Sequence, residues 1–351
     1  MHFMKGIILH GGRGTRLRPL THTGPKQLIK VGGKPISQWG IENLIKHGVN
    51  DIAIVLGDNN PEKVIDYYGD GTEFSANFTY VYQGEARGLA DAIYRCKDFV
   101  GKDRFIVHLG DNIVQHGLEV LINNENDASV LLARVADPSR YGIAKVKDGK
   151  IENLVEKPKQ YISDLALVGV YSFTHRIFDI IEGLTPSKRG ELEITEAIQN
   201  IIDNGGNVGF AVVSGWWKDT GTPEDMLSAN MRILDFSTNF KVFGTVTNSK
   251  IDGRIYLGNN SQIINSTVRG PVYIGDNVLI ENSFIGSYTS IGAKCNIFDT
   301  EISNSLIFDD STIRECKLTD SIIGYKCNIE KNKKKPEASR VIVGENSFVS
   351  I

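Results

Sequence analysis

Short apolar runs alternate with amphipathic segments over roughly the first 110 residues. Four apolar runs predict buried strands at residues 5–9, 52–56, 78–82 and 105–109. Periodic apolar positions predict intervening helices at residues 35–47, 61–68 and 89–96. Because alternating strands and helices are typical of βαβ units, we predict an α/β fold with a mainly parallel, Rossmann-like sheet. Ligands of such sheets lie at the carboxyl ends of the strands.

A more β-rich pattern follows residue 128. It predicts strands at residues 129–133, 142–146, 151–155, 167–173 and 208–213, which would make the sheet a mixed one. It also predicts helices at residues 176–181, 195–204 and 222–235. Asp148-Gly149 is typical of a tight hairpin turn, and Thr222-Pro223 is typical of a helix start. We assign residues 1–240 to one domain.

Helical periodicity disappears after about residue 240, and an aliphatic residue followed by a turn recurs about every 16 to 17 residues. The recurring pairs are Leu257-Gly258, Ile274-Gly275, Ile291-Gly292, Ile307-Phe308, Ile323-Gly324 and Val343-Gly344. Aliphatic residues also recur roughly every six positions, which is the hexapeptide signature of a β-helix. We therefore predict a hexapeptide-repeat β-helix over residues 241–351, with residues 331–336 as a solvated loop; a β-sandwich is the alternative, and it would show stricter alternation.

Composition limits the classes of function. The net charge of −3 gives no basic footprint for nucleic acid, and no apolar run reaches membrane-spanning length. The N-terminus lacks a signal-peptide pattern, and the four cysteines lack C-x-x-C spacing. The seven histidines form no zinc-type motif. We therefore expect a cytoplasmic protein with free cysteines that binds neither nucleic acid nor membrane.

A glycine-rich turn follows the first predicted strand. Gly11, Gly12 and Gly14 permit positive φ angles and close backbone approach to a ligand. Several cations follow, at Arg13, Arg16, Arg18 and Lys26. Glycines plus cations directly after a strand suit a polyphosphate.

Two common glycine motifs do not fit this turn. A dinucleotide fingerprint starting at Gly12 would need glycine at position 17, which is Leu17. A P-loop would need Gly-Lys-Ser/Thr, whereas Thr15-Arg16 follows Gly14. Pro19 and Pro25 also argue against a helix starting at once.

The chain resembles the sugar-phosphate nucleotidylyltransferases over about residues 4–235. The family signature G-x-G-T-R-L…P-K…K-P is matched in order and spacing by Gly12, Gly14, Thr15, Arg16, Leu17, Pro25, Lys26, Lys34 and Pro35. The subfamily it resembles most is the long form of the glucose-1-phosphate thymidylyltransferases, which carries a C-terminal left-handed parallel β-helix. His10 is a departure, because the family more often has a small residue there.

Further segments match family motifs. They are Gln83–Ala92 (Q-x-x-x-x-G-L-A-x-A), Leu109-Gly110-Asp111-Asn112, Glu156-Lys157-Pro158 and Trp217-Lys218-Asp219-Thr220-Gly221-Thr222. Arg189–Thr195 matches another family block, for which a helix cap and a substrate contact are both open. An amide such as that of Gln83 offers a donor and an acceptor, which suits the edge of a pyrimidine base.

The resemblance implies a role for each matching residue. Nucleotide-binding residues would be Leu9, Gly11, Gly12, Gly14, Thr15, Arg16, Gln83, Gly88 and Asp111. Sugar-binding residues would be Tyr141, Gly142, Glu156, Lys157, Val168 and Gly169. Asp111 and Asp219 would ligate Mg²⁺, and Arg16, Lys26 and Lys157 would be catalytic. Two carboxylates suffice for Mg²⁺, which keeps waters and substrate phosphates as its other ligands.

The implied reaction is attack by a sugar 1-phosphate on the α-phosphorus of a nucleoside triphosphate, which expels pyrophosphate. The second pKa of a phosphate monoester is about 6, so the nucleophile is already ionised at neutral pH and needs no general base. The obstacle is bringing two polyanions together, which Arg16, Lys26, Lys157 and Mg²⁺ would overcome by charge neutralisation and positioning. We expect dTTP and glucose 1-phosphate as substrates.

Three alternatives remain open. The enzyme could use UTP or GTP, or another sugar 1-phosphate, because Gln83 cannot read the thymine methyl group. The β-helix could also acetylate an amino sugar, although such sites commonly use a histidine and residues 176–351 contain none. The chain could be an inactive regulatory subunit, although Arg16, Lys26, Asp111 and Asp219 are all present. The β-helix would otherwise be structural, and burial of its exposed aliphatic face predicts a homo-oligomer.

Overall fold

The computed structural model describes residues 4–12, 14–236 and 240–331. The chain divides into two compact units. The first unit comprises Met1–Gly14, Thr23–Leu28 and Ile36–Asp219. The second comprises Thr15–His22, Ile29–Pro35 and Thr220–Ile351, so two segments of the glycine-rich N-terminal stretch pack within it.

The elements up to residue 236 follow the predicted alternation. The strands are β1 (Met4–Leu9), β2 (Lys30–Val31), β3 (Lys34–Pro35), β4 (Asp51–Gly57), β5 (Asn77–Gly84), β6 (Arg104–Leu109), β7 (Asn112–Val114), β8 (Ala128–Arg134), β9 (Gly142–Lys147), β10 (Lys150–Glu156), β11 (Leu165–Phe173), β12 (Val208–Val212) and β13 (Trp217–Asp219). The α-helices are α1 (Ile36–Lys46), α2 (Pro61–Tyr68), α3 (Leu89–Tyr94), α4 (Lys97–Val100), α5 (Leu118–Ile122), α6 (Ile177–Glu182), α7 (Ile194–Asp203) and α8 (Pro223–Phe236).

A nine-stranded mixed sheet forms the centre of the first unit. Its order is β10-β9-β11-β6-β1-β4-β5, with β8 paired to β11 and β12 paired to β8. β1 is parallel to both β4 and β6, and β11 adds antiparallel to β6. The carboxyl ends of β1 and β6 are neighbours, because Leu9 pairs with Leu109. This edge is where ligands of α/β sheets bind.

Both faces of the central strands are covered. Along β1, Ile7 contributes to one apolar cluster and Ile8 to another, and both are fully buried. Successive residues of a strand point to opposite faces, so a continuous apolar run is what a doubly covered strand needs. This burial fixes the positions of the polar loops that follow the strands.

The second unit contains a parallel β-helix. Its strands are β14 (Thr245–Thr247), β15 (Lys250–Asp252), β16 (Ile255–Leu257), β17 (Gln262–Ile264), β18 (Thr267–Arg269), β19 (Val272–Ile274), β20 (Leu279–Glu281), β21 (Phe284–Ile285), β22 (Thr289–Ile291), β23 (Asn296–Phe298), β24 (Glu301–Ser303), β25 (Leu306–Ile307), β26 (Thr312–Arg314), β27 (Lys317–Thr319), β28 (Ile322–Ile323) and β29 (Asn328–Glu330). They form three sheets of six, five and five strands.

The predicted repeat of about 16 to 17 residues corresponds to one coil of the β-helix, so residues one repeat apart pair between neighbouring coils. Leu257 pairs with Ile274, Ile274 with Ile291, Ile291 with Ile307, and Ile307 with Ile323. The predicted α/β sheet and the β-helix are therefore confirmed. The Val343-Gly344 pair and positions 332–336 of the predicted loop lie outside the described residues.

Helix length bears on membrane association. Among the residues that the structure describes, no helix is both long enough and apolar enough to cross a bilayer.

Candidate active site

The glycine turn begins where β1 ends. The backbone N–H of His10 donates to the carbonyl of Val55 at 2.9 Å, and Gly110 N–H donates to the Leu9 carbonyl at 3.0 Å. Gly12 and Gly14 have φ angles of +112° and +57°, which side-chain-bearing residues rarely adopt. The turn is therefore held against neighbouring strands while its glycines bend the backbone. Arg13 lies outside the described residues.

A cavity of about 160 Å³ lies in the first unit, among the ends of β6, β9, β10 and β13. Eight of the residues implicated by sequence line it: Asp111, Tyr141, Gly142, Glu156, Lys157, Val168, Gly169 and Asp219. These residues come from five separate motifs spread over more than 100 positions of the chain. The fold thus gathers the proposed metal ligands and the proposed sugar-binding residues around one space.

A two-stranded ladder brings Asp111 and Asp219 to the same place. β13 pairs antiparallel with β7, and Asp219 is the register partner of Asn112. Asp111 directly precedes β7, so its backbone lies next to the end of β13, and both aspartates line the cavity. Trp217 strengthens the ladder, because its Nε1 donates to Oδ1 of Asn112 at 2.6 Å.

Asp111 is balanced by a cation. Lys26 forms an ion pair with Oδ2 of Asp111, and Nδ2 of Asn112 donates to Oδ1 at 2.9 Å. Burial opposes ionisation of Asp111, but the Lys26 ammonium and the two hydrogen bonds outweigh it and lower the pKa of this carboxyl. The group is therefore an anion at neutral pH, as a ligand of a divalent cation must be.

The donor set fits Mg²⁺. Two carboxylates that line one cavity supply hard oxygen ligands, and the open remainder of the cavity leaves room for waters and phosphate oxygens. Asp111 and Asp219 are the residues that would hold the ion. Their role as metal ligands stays a prediction.

Glu156 and Lys157 stand at the end of β10, opposite the start of β9. Lys157 N–H donates to the Tyr141 carbonyl at 2.9 Å, and Lys157 adopts φ +42°. A left-handed conformation is costly for a residue with a side chain, and it is held here by that cross-strand bond. Nζ of Lys157 lies 3.6 Å from Oε1 of Glu156.

Arg189 is a cation that sequence patterns left undecided. Its guanidinium is 3.2 Å from Glu156, 3.0 Å from Glu191 and 3.2 Å from Glu193. Burial raises the pKa of Glu156, and the negative charge of Glu193 raises it further. The positive charges of Lys157 and Arg189 oppose this rise. Arg189 thus ties the loop after α6 to the Glu156 end of the cavity.

Two glycines make room at the cavity wall. A Cβ at Gly142 would lie 2.7 Å from Cγ2 of Thr195, and a Cβ at Gly169 would lie 2.7 Å from Cδ1 of Leu109. Gly169 also has φ +78°. Both positions therefore require glycine for packing at the cavity wall.

Gln83 lies in β5 and is largely buried. Its Nε2 donates to Oδ2 of Asp91 at 3.0 Å and to the Gly88 carbonyl at 3.3 Å. Its Oε1 lies beside Gly11, where a Cβ would approach it to 2.8 Å. The structure thus joins the glycine turn to the Gln83–Gly88 segment, as expected if both contact one nucleotide.

Thr15 and Arg16 belong to the second unit, where they form a single 3₁₀ turn with Leu17. Their side chains are exposed. Arg16 does not line the cavity of the first unit, so its action on the triphosphate stays a prediction. Leu9, Gly12 and Gly14 also stay predictions as nucleotide contacts.

Aromatic side chains form part of the cavity wall, and two of them, Tyr171 and Trp217, were not among the predicted site residues. The rings of Tyr141 and Trp217 meet edge to face with centroids 5.4 Å apart. Tyr171 is buried and also lines the cavity. Trp217 stands in a recognisable motif, which is a usable signal. Tyr171 ends the segment Val168-Gly169-Val170-Tyr171, which matches a family segment, but the ring itself received no predicted role, because an aromatic residue in an apolar strand is typical of a core.

Two buried histidines flank the site. Burial lowers the pKa of His10 to about 3 and that of His108 to about 4, and the Asp111 charge only partly opposes this. Both rings are therefore neutral at physiological pH. His108 Nδ1 lies 2.8 Å from the Leu109 carbonyl, which indicates that this nitrogen carries the proton.

The chain is similar to known proteins over nearly its whole length. Residues 5–235 match the family model described as nucleotidyl transferase. The low-salt glycan biosynthesis nucleotidyltransferase Agl11 of Haloferax volcanii is 45% identical over 358 residues, covering 99% of this chain and 100% of its own. A glucose-1-phosphate thymidylyltransferase of Streptomyces antibioticus is 39% identical over 356 residues, covering 99% of each chain.

A solved structure shares the fold of part of the chain. The crystal structure of a UDP-glucose pyrophosphorylase complexed with UDP-glucose matches with a TM-score of 0.59 and 27% identity, over 65% of this chain and 97% of that one. The chain therefore belongs to the nucleotidyl transferase family.

Proposed function

We propose that the protein transfers a thymidylyl group from dTTP to glucose 1-phosphate, giving dTDP-glucose and pyrophosphate. The observation that carries the proposal is the single cavity that holds Asp111 and Asp219 together with Glu156 and Lys157. One pair is suited to a metal and a triphosphate, and the other to a sugar phosphate. The full-length similarity to a thymidylyltransferase supports the choice of substrates.

The reaction depends on neutralising the charges of the two substrates and does not depend on proton transfer by a residue. A phosphate oxygen of the sugar 1-phosphate attacks the α-phosphorus, a new P–O bond forms, and the bond to the β-phosphate bridging oxygen breaks. Pyrophosphate leaves with the electron pair. Because the attacking phosphate is ionised at neutral pH, no residue has to remove a proton. Mg²⁺, when bound, would neutralise charge on the triphosphate and pyrophosphate oxygens.

Residues of the chain would position the two substrates. Lys26 is placed beside Asp111, where its ammonium can face the α-phosphate region. Lys157 would supply a point charge for the sugar phosphate, and Glu156 would accept hydrogen bonds from sugar hydroxyls. Arg16 would act on the triphosphate. Gly142 and Gly169 would keep the sugar pocket open, since any side chain there would collide with its wall.

The same site is also compatible with a second nucleotide substrate. Gln83 favours a pyrimidine, but nothing in its contacts distinguishes thymine from uracil. The relatives reflect this ambiguity, because one carries a name for glycan biosynthesis and a matching structure holds UDP-glucose. A UTP-dependent pyrophosphorylase is therefore the second candidate.

A substrate panel tests the proposal. We would measure Mg²⁺-dependent pyrophosphate release with dTTP, UTP, GTP and CTP against glucose, mannose, galactose and N-acetylglucosamine 1-phosphates. The proposal expects the highest kcat/KM for dTTP with glucose 1-phosphate. A clear preference for UTP would support the second candidate. No release with any pair would favour an inactive regulatory subunit.

The β-helix is proposed to be structural and oligomer-forming. Val242, Phe243 and Val246 are 54%, 53% and 37% exposed near its first coil, which is a cost that a second copy would remove. Acetyl transfer is the alternative, and acetyl-CoA turnover with glucosamine 1-phosphate would test it. Four free cysteines agree with a reducing compartment such as the cytoplasm.

A further inference from the structure

Both hydrogens of the Gln83 amide are used inside the protein. Nε2 donates to the Asp91 carboxylate at 3.0 Å and to the Gly88 carbonyl at 3.3 Å. A carboxylate and a carbonyl can only accept hydrogen bonds. The atom that faces them must therefore be the nitrogen, so the partners fix the orientation of the amide.

The oxygen of the same amide is left for a ligand. Oε1 is directed to the glycine turn, beside Gly11. Within residues 4–12, 14–236 and 240–331, no group donates a hydrogen bond to it. The amide can therefore offer an acceptor at this point, and both of its donors are already committed.

Asp91 is itself held in place. Its Oδ1 lies 3.5 Å from Nη2 of Arg95, while its Oδ2 takes the hydrogen bond from Gln83. Asp91 is only 7% exposed and Gln83 8%. Buried and bound on both oxygens, the carboxylate cannot turn away to free the Gln83 amide.

We propose that Asp91 is a positioning residue for base selectivity, because it fixes the Gln83 amide with Oε1 toward the base. This inference rests on the proposed function, in which Gln83 contacts the nucleotide base. Thymine and uracil carry a donor at N3, which Oε1 can accept. Cytosine carries an acceptor at N3, which would face Oε1 without a shared hydrogen. The fixed amide thus admits thymine and uracil and rejects cytosine.

The test compares dUTP with dCTP, which differ only at N3 and at the 4-substituent. With glucose 1-phosphate constant, wild-type kcat/KM should favour dUTP by about tenfold or more, since a well-placed hydrogen-bond pair discriminates bases to that extent. In Asp91→Asn, the new amide can accept from Nε2 or donate to a reversed Gln83. We expect the dUTP preference to fall at least about fivefold, chiefly through better use of dCTP.

Controls separate positioning from a general loss of structure. Asp98→Asn makes the same change at an exposed position of α4 and should keep the wild-type ratio. In a Gln83→Ala background, Asp91→Asn should no longer alter the ratio, because the group through which it acts is gone. Arg95→Ala loosens Asp91 without removing it, and it should shift the ratio in the same direction if Asp91→Asn does not fold.

The outcomes distinguish the two proposals. If the wild type prefers dUTP and the folded variants keep that preference, the role of Asp91 is wrong while the function stands. If Asp91→Asn still shifts the ratio without Gln83, the inference is also wrong. If the wild type uses no pyrimidine nucleotide, the proposed function fails and the inference fails with it.

Discussion

At the scale of single residues, the pair of Lys26 and Asp111 concentrates opposite charges at the cavity. Replacing Lys26 by alanine removes the cation that balances Asp111 and would face the triphosphate. We expect kcat/KM to fall by roughly 10²-fold or more, by analogy with the loss of a transition-state donor. Lys46→Ala, at an exposed position of α1, is the matched control. Turnover near the wild-type level in folded Lys26→Ala would remove Lys26 from the mechanism.

Buried histidines should give the folded state a defined pH dependence. The pKa of His108 is lowered from 6.5 to about 4, so below pH 6.5 the unfolded chain takes up a proton that the folded chain resists. Stability is therefore lost as pH falls below 6.5, by about 1.4 kcal/mol per such histidine at pH 5.5. His10, with its pKa lowered to about 3, adds a similar loss.

Urea unfolding of wild type and His108→Gln at pH 7.5 and 5.5 checks this sign. The variant should lose about 1.4 kcal/mol less than the wild type between the two pH values. His175→Gln measures the same substitution at an exposed position. An equal loss in wild type and His108→Gln would show that His108 is protonated in the folded protein.

Side chains within motifs could be predicted, while their partners could not. Asp111, Asp219, Glu156 and Lys157 stand in recognisable segments and meet at one cavity. Arg189 is different, because its contact with Glu156 joins positions 33 residues apart across a loop. A spacing pattern carries no information on such a contact, since it depends on where the loop after α6 folds back.

At the scale of elements, the middle of β11 forms part of the cavity wall, where sugar binding is proposed. Gly169 has φ +78°, and a Cβ there would lie 2.7 Å from Leu109. Gly149 has nearly the same backbone, φ +74°, but no atom within 4 Å of a Cβ. In each alanine variant the left-handed conformation lowers the free energy of unfolding by about 1–2 kcal/mol. Only Gly169→Ala adds overpacking, about 1–3 kcal/mol more.

Thermal and urea unfolding of the two alanine variants would measure this difference. Gly169→Ala should also raise KM for glucose 1-phosphate, because the residue lines the cavity, whereas Gly149→Ala should not. Equal stability of the two variants would mean that β11 relaxes freely around the added methyl group.

Periodicity predicted most elements, and the exceptions are short. α2 begins and ends at the predicted residues, Pro61 and Tyr68. β7 and β13 have three residues each and were missed, although they bring Asp111 and Asp219 together. Three residues show no usable period, and their pairing depends on a tertiary contact between distant parts of the chain.

The corners of the β-helix carry a second sequence signal, which is independent of the aliphatic repeat. Left-handed residues recur at Asn248, Asn265, Asn282 and Asp299, with φ between 47° and 50°. Asparagine and aspartate tolerate this conformation better than other side chains. Their spacing of 17 residues would have located the corners from sequence as well as the coils.

At the scale of the whole molecule, the second unit depends on segments from both ends of the chain. Lys30 lies 2.6 Å from Asp309, and Tyr273 occupies the space beside Gly33. Asn230 accepts from the Gly32 N–H at 2.9 Å and donates to the Tyr288 carbonyl at 2.7 Å. The segments 15–22 and 29–35 flank Lys26 in sequence, so their anchoring bears on the proposed catalytic lysine.

A chain that ends at residue 240 should therefore lose not only the β-helix but also contacts that hold its own N-terminal segment. It lacks Asp309 and Tyr273, which contact the segment Ile29–Pro35. We expect a lower melting temperature and a loss of at least about tenfold in kcat/KM for the triphosphate, since misplacement of catalytic groups by about 1 Å has effects of that order or more. Asp309→Asn, with Asp310→Asn as its exposed neighbour control, should shift both quantities in the same direction by less. Full activity of the shortened chain would show that the β-helix is dispensable for the site.

We propose nucleotidyl transfer at the cavity that Asp111, Asp219, Glu156 and Lys157 line. The most direct test follows the phosphorus atoms of dTTP labelled separately at the α and γ positions, with glucose 1-phosphate and Mg²⁺. We predict that the α label appears in dTDP-glucose and the γ label in pyrophosphate, and that Asp219→Asn stops both. Release of the γ label as inorganic phosphate, or transfer that Asp219→Asn leaves intact, would contradict the account.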